Sequence, residues 1–243
     1  MTDYTLHYWP IPFRGQLVRW VMAHAGASWN EVAPEDVQNL RMSAPDALPV
    51  PLMAPPVLQD HANGHWQAQL TAVLVYLGQK HGLLAQDPMG LTATIKLICD
   101  ANDVLDSVTC FGGAAMWDGQ SWAEQGHPRL IRWLKIFELT ATQSGVSRQG
   151  GCFSGASAPD LRDIVSAALW HTMVTRLPPL RATRDTYAPV IAAHADRIAA
   201  LPALAAFDSA EMQRLPDVYC GGMIEDSLRH ALGMPERKRD GII

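Results

Sequence analysis

The 243-residue chain has only four cysteines, Cys99, Cys110, Cys152 and Cys220. None is paired as CxxC and none lies in the first 98 positions, which excludes a zinc ribbon or a disulfide framework and leaves buried or spare thiols. Basic residues are also in deficit: 19 Lys and Arg against 24 Asp and Glu give a net charge of −5, with no electrostatic footprint for nucleic acid. The one basic run, ERKR at 236–239, reads as a solvated tail. No apolar run approaches the ~20 residues of a membrane span, and MTDYTLHYW lacks a basic region followed by an apolar core, so the expected location is cytoplasmic, away from membranes. The sequence has no GxGxxG, no P-loop and no HExxH, and GQSWA at 119–123 lacks the second glycine of a nucleophile elbow. His61 and His65 with Asp60 fall in a predicted hairpin turn and read as a solvated loop, so no metal is expected.

What is present is the composition of an ordinary globular protein, 48% hydrophobic and 18% charged, long enough for two modest domains. Residues 4–9 are strand-like. The helix after them carries Leu17, Val18, Val21, Met22 and Ala25 on one stripe until Gly26 stops it. Trp29 to Val32 reads as a short second strand, followed by a polar stretch and the proline-rich LPVPLMAPP at 48–56. PVLQD and HWQAQ form a predicted hairpin with Asn63-Gly64 as its turn. Leu70, Val73, Leu74 and Leu77 then mark a helix stopped by Gly82. This βαβαββα order, with a proline opening the third strand, is the thioredoxin-like arrangement. It predicts an α/β domain over 1–83, a linker over 84–90 around AQDPMG, and an all-α domain over 91–243, where IRWLKIFELTAT and APDLRDIVSAALWHTMV are the clearest helices.

Four segments, YTLHYWPIPFRGQLVRW, PPVLQD, QLTAVLVYLG and FSGASAPDL, resemble in order and spacing the landmarks of cytosolic glutathione transferases, especially the pi and mu classes and their bacterial relatives. The resemblance covers the first 83 residues well and the helical part more loosely. It implies glutathione as co-substrate, a homodimer, and sulfur attack on a small hydrophobic electrophile by conjugation, halide displacement or ether cleavage, as in detoxification. It makes Tyr8 the residue whose hydroxyl hydrogen-bonds the glutathione sulfur. A thiol with a pKa of about 8.5 is only a few per cent ionised at neutral pH, and the thiolate is the nucleophile. The bend WPIPFR has neither serine nor cysteine to take that role. On the local pattern alone, a packed strand tyrosine whose hydroxyl caps a backbone group is the favoured reading of Tyr8.

By the same resemblance Arg14 helps bind the glycine carboxylate, Pro56 is the cis-proline, and the Pro55 carbonyl faces the cysteinyl part of glutathione. Pro55 has no N–H, so one of the family's two bonds there is missing. Gln69 with the Leu70 N–H holds the γ-glutamyl carboxylate, although the family's serine is absent at Leu70, which also begins the core stripe. The family's second-helix lysine has no clear match, Arg41 being the only basic side chain between residues 30 and 60. Asp103 matches an aspartate that reaches across the dimer interface, with Asp100 and Asp106 making a solvated acidic face an alternative. The electrophile wall falls on Trp9, Phe13, Phe111, Met116 and Tyr219, with a helix break at Gly112-Gly113. S-A-P-D at 157–160 reads as a capping box, with Ser157 as N-cap and Asp160 at N3. Arg19 reads as structural. The departures at Pro55 and Leu70 motivate a second reading, a non-catalytic relative that binds glutathione or a hydrophobic ligand. A thiol–disulfide oxidoreductase on the same fold is disfavoured by the lack of cysteine in 1–83.

Overall fold

The computed structural model describes residues 2–237. Of the ERKR run, Lys238 and Arg239 lie outside the described residues. Four strands, β1 (Tyr4–His7), β2 (Trp29–Glu31), β3 (Val57–Asp60) and β4 (Trp66–Ala68), form one sheet in the order β2-β1-β3-β4. β1 is parallel to β2 and antiparallel to β3, with Leu6 opposite Leu58, and β3 is antiparallel to β4. Period-two alternation buries Tyr4 and Leu6, and Tyr8, just past the strand, continues on that buried side. The β3–β4 turn closes through the Gly64 N–H to the Asp60 carbonyl, with Gly64 at positive φ.

Helices α1 (Phe13–His24), α2 (Pro34–Met42) and α3 (Leu70–Lys80) complete this thioredoxin-like part. α1 and α3 pack on each other, whereas α2 buries only Val37. α4 (Pro88–Val108) begins inside the stretch expected as linker, because Asp87 caps it at the Gly90 N–H and Pro88 suits a first helical position. It ends at Val108, and Cys110 to Gly113 follow with four positive φ values, a left-handed turn. Left-handed backbone costs ~1–2 kcal/mol per non-glycine residue, so Cys110 and Phe111 carry strain that the two glycines after them do not. Gly113 lies against Ile224 so closely that an added Cβ would sit 2.4 Å from its Cδ1.

The longer helices that follow are α5 (His127–Gln143), α6 (Leu161–Arg176), α7 (Leu180–Tyr187), α8 (Pro189–Ala199), α9 (Pro202–Arg214) and α10 (Gly222–Ala231). α6 is buried along nearly its whole length, because it packs on α8 and α4 in its own half and on α1 in the other. The halves are tied at its start, where the Leu161 N–H donates to the Leu83 carbonyl at 2.9 Å. The capping box lies three residues later than expected. Asp160 is the N-cap, accepting from the Arg162 N–H, and Asp163 at N3 accepts from the Asp160 N–H at 2.8 Å. Ser157 is exposed and outside the helix. A helix starting there would need Ala158, the residue before Pro159, in the α conformation that proline disfavours. Asp163 is further fixed by the Phe153 N–H and by buried His194, 2.8 Å from its Oδ1. No single helix among the described residues is long and apolar enough to cross a membrane.

Candidate functional site

The bend WPIPF has little backbone hydrogen bonding of its own, because two of its five residues are prolines. Two arginines hold its carbonyls instead. Arg19, one and a half turns into α1 and 1% exposed, donates Nη1 to the Ile11 carbonyl at 2.6 Å and Nη2 to the Trp9 carbonyl at 2.9 Å. Its Nε and Nη2 also grip the two Glu31 oxygens at 2.7 Å, tying α1 to β2. Burial works against ionising Glu31, but these bonds and the guanidinium charge hold its carboxyl below the usual range. From α9, Arg214 reaches the carbonyl between them, Pro10, at 3.4 Å.

This fixed bend delivers Tyr8 to the start of α1. The Tyr8 ring lies so close to Gly15 that an added Cβ there would sit 2.3 Å from Cδ1. Gly15 therefore has to be glycine. A glycine inside a helical pattern is the sequence signal for such a close approach. Tyr8 is 3% exposed, edge-on to Trp9 at 5.5 Å, with the Arg19 guanidinium 5.8 Å from its ring centroid. Burial pushes its phenol up to about 12, against the opposing pull of the Arg14 and Arg19 charges and of the nearby α1 backbone. The group is thus a neutral phenol beside the first turn of α1.

The residues that introduce α1 and α3 share one peculiarity. Phe13 (φ 41°) and Gln69 (φ 72°) are non-glycine residues at positive φ, and neither helix has a side-chain N-cap bond. Strain of ~1–3 kcal/mol at such positions gathers at ligand sites, and uncapped first-turn N–H groups suit an anion. Gln69 is exposed there and Leu70 is buried in the core. The Pro55–Pro56 peptide, cis and buried, leads into β3.

Arg14 has turned to the second half of the molecule. Its Nε donates to Asn102 Oδ1 at 2.8 Å and its Nη2 lies 3.8 Å from Asp106, both on α4. Asp106 is therefore part of an interdomain contact, and Asp100 pairs with Lys96. Asp103 is exposed on the same helix, one turn beyond Cys99, whose Sγ meets Thr71 Oγ1 at 3.6 Å. Arg41 is exposed on α2, bonded to Gln38.

Of the five residues expected as an apolar wall, Trp9 packs against Tyr8, and Phe13 packs against Tyr219. Tyr219 is 1% exposed and meets Phe13 edge to face at 5.8 Å. Phe111 and Met116 stand apart at the end of α4, 50% and 42% exposed, with Arg129 over the Phe111 ring. The left-handed turn directs Phe111 outward, a consequence of backbone handedness that no side-chain pattern encodes. Glu225 on α10, which the sequence gave no reason to select, anchors the segment bearing Tyr219. Its Oε2 accepts the N–H groups of Tyr219, Cys220 and Gly221 at 2.9, 3.0 and 2.6 Å. Asp60, expected in a solvated loop, is 1% exposed, bonded to Tyr76 at 2.6 Å and paired with Lys80. Only His61 and His65 of that trio face solvent.

Residues 93–231 match the family described as "Glutathione S-transferase, C-terminal domain". Among solved structures, the chain is similar to a glutathione S-transferase from Ascaris lumbricoides, with 20% identity over 86% of this chain and 97% of that one, TM-score 0.66. A monomeric glutathione S-transferase from Necator americanus gives 18% identity, 86% and 97% coverage, and TM-score 0.68. A Pi-class glutathione S-transferase from Onchocerca volvulus gives 17% identity, 90% and 98% coverage, and TM-score 0.67. No curated sequence matches the chain. At these identities the structural likenesses speak for the fold.

Proposed function

The chain belongs to the glutathione S-transferase family, and from that premise we propose that it is a glutathione transferase, ionising the glutathione thiol against the Tyr8 hydroxyl and directing the sulfur at a small hydrophobic electrophile. The observation that carries this reading is Tyr8 itself, a phenol held protonated at the first turn of α1. A hydrogen bond to a charged acceptor contributes ~1.5–3 kcal/mol. At 1.36 kcal/mol per pKa unit, one aimed hydroxyl lowers the thiol pKa by about one to two units. That brings a thiol of pKa about 8.5 near neutrality, where a large fraction is nucleophile.

The tripeptide would lie across the ends of α1 and α3. Its γ-glutamyl carboxylate would take the N–H groups that open α3 beside Gln69 and Leu70, at the positive end of the helix dipole. Its cysteinyl N–H would donate to the Pro55 carbonyl. Its glycine carboxylate would compete with Asp106, 3.8 Å away, for Arg14. Exposed Asp103 would serve a second copy of the chain in a homodimer, reaching that partner's γ-glutamyl amine. Trp9, Phe13 and Tyr219 would wall the electrophile, with Phe111 and Met116 at the rim. Removal of reactive electrophiles in the cytoplasm is the role this chemistry suits.

The test is calorimetric titration of glutathione followed by ultraviolet thiolate absorbance in wild type and Tyr8→Phe. Sub-millimolar binding, with a thiolate band that the substitution abolishes, is the expected outcome. No binding at several millimolar sinks the proposal. It would favour the second reading, a non-catalytic hydrophobic-ligand binder, for which the absent N–H at Pro55 and the missing hydroxyl at Leu70 speak.

A further inference from the structure

A second cavity lies at the other end of β1 from Tyr8. Its volume is about 400 Å³, toward the small end of the range for small-molecule pockets, and its walls include Asp3, Tyr4, residues 25–27, His61, Lys80 and His81. Tyr4 precedes Tyr8 by four residues, about 13 Å along the strand. α1 and α3, whose first turns would receive the tripeptide, both end at this cavity. Helix C-termini offer carbonyls without intrahelical partners and the negative pole of the dipole, so this end suits a cation as the other suits an anion. The side chains add to that bias. Lys80 is paired with Asp60, which is 1% exposed and not part of the wall, so its charge is already matched. His81 Nε2 lies 2.8 Å from the Tyr4 hydroxyl, and burial with the Lys80 charge pushes this histidine below its ordinary range, so it brings no positive charge. Asp3 supplies the surplus. The Ser28 N–H and hydroxyl both bond its Oδ2 at 2.8 Å and hold its carboxyl below the usual range, which leaves Oδ1 to meet a donor from outside.

We propose that this cavity binds a small organic amine as its alkylammonium ion, the ammonium donating to Asp3 Oδ1 and to the carbonyls that end α1, and the alkyl part lying against Ala27, Ala62 and Tyr4. The site stands independently of the glutathione transferase reading. A carboxylate of the same size is disfavoured there. It would need Lys80, whose ammonium is bound to Asp60 and lies 5.0 Å from the Tyr4 ring centroid, and it would share the space with Asp3 and two negative helix ends. Burial raises the Tyr4 phenol above its ordinary range, so Tyr4 offers no second anion. His61 is turned to the backbone, donating Nδ1–H to the Thr2 carbonyl at 2.8 Å. One surplus carboxylate matches one ammonium, so the ligand class is a monoamine.

The experiment is an amide chemical-shift titration of the full-length protein with n-butylammonium chloride and, separately, with sodium butyrate at matched ionic strength. It is repeated on Asp3→Asn, on Ala62→Leu, and on wild type in several millimolar glutathione. Butylammonium is expected to shift residues 25–27, Lys80 and His81 with a dissociation constant of about 1 mM, as suits a ligand of about five non-hydrogen atoms, and to bind at least about 10-fold more tightly than butyrate. Asp3→Asn keeps the shape, loses the charge and should weaken the amine by about 10- to 100-fold. Ala62→Leu narrows the cavity from an exposed turn without touching the Asp3–Ser28 bonds, so weaker binding at an unchanged melting temperature separates loss of the site from a folding defect. Glutathione should leave the amine in place. The inference is overturned by no binding of butylammonium, by butyrate binding as tightly, by an affinity unmoved in either variant, or by displacement of the amine by glutathione.

Discussion

Arg19→Met should be the most damaging single change outside the reacting groups. It removes every donor that Arg19 supplies, leaving the Trp9 and Ile11 carbonyls and the Glu31 carboxylate without their partner. A buried carbonyl left unmet costs ~1–3 kcal/mol. These two stand near the lower bound, since a proline bend can relax toward water, which gives about 2 kcal/mol together. Breaking a fully buried ion pair costs about 3–5 kcal/mol. Glu31, 27% exposed, can partly rehydrate, so about 1–3 kcal/mol is the discounted figure. The sum is about 3–5 kcal/mol, a large share of the 5–15 kcal/mol typical of a domain. Urea unfolding should show the midpoint falling with the slope m unchanged. In the protein still folded, the bend should loosen around Tyr8, so bound glutathione should titrate at a higher pKa than in wild type. A change under about 0.5 kcal/mol, with the glutathione pKa unmoved, would refute the claim that Arg19 sets the geometry of the bend.

Two further outcomes follow from the helical half. Asp160→Ala loses the α6 cap and the Arg162 contacts at 2.6 and 3.0 Å and should cost ~1–3 kcal/mol, whereas Ser157→Ala should stay within ~0.5 kcal/mol; chemical denaturation of both variants decides where the helix is capped. His171 is raised above its ordinary pKa of about 6.5 because Asp196 at 3.1 Å and Asp208 at 3.4 Å outweigh its burial. A raised folded pKa gives stability that is full below about 6.5 and is lost as pH rises through the folded value. Melting temperature should therefore fall with rising pH across that window in wild type and less so in His171→Asn, and parallel profiles would contradict it.

The sheet was legible in the sequence because each of its strands is bounded by local signals: alternation in YTLHYW, a turn at Asn63-Gly64, a proline before PVLQD, and apolar stripes that end at glycine. The same period-two alternation, continued past the strand, reaches Tyr8, which is buried. The α6 cap was half legible, since S-A-P-D and D-L-R-D both offer a polar N-cap. The choice between them turned on Pro159 and on the fit of Asp163 against His194, a contact between residues 31 apart.

What the sequence by itself determined is thus the class of fold, the position of Tyr8, and the absence of an N–H at Pro55, all of which depend on residue type and near neighbours. Tertiary structure alone decided that Arg14 turns to α4, that Phe111 points outward on a left-handed turn, and that Glu225 holds the Tyr219 segment. It alone also left the Tyr219 hydroxyl buried without a partner among the described residues. Each of these depends on which distant groups compete for the same donor, acceptor or volume, and that competition is settled only when the halves are packed together.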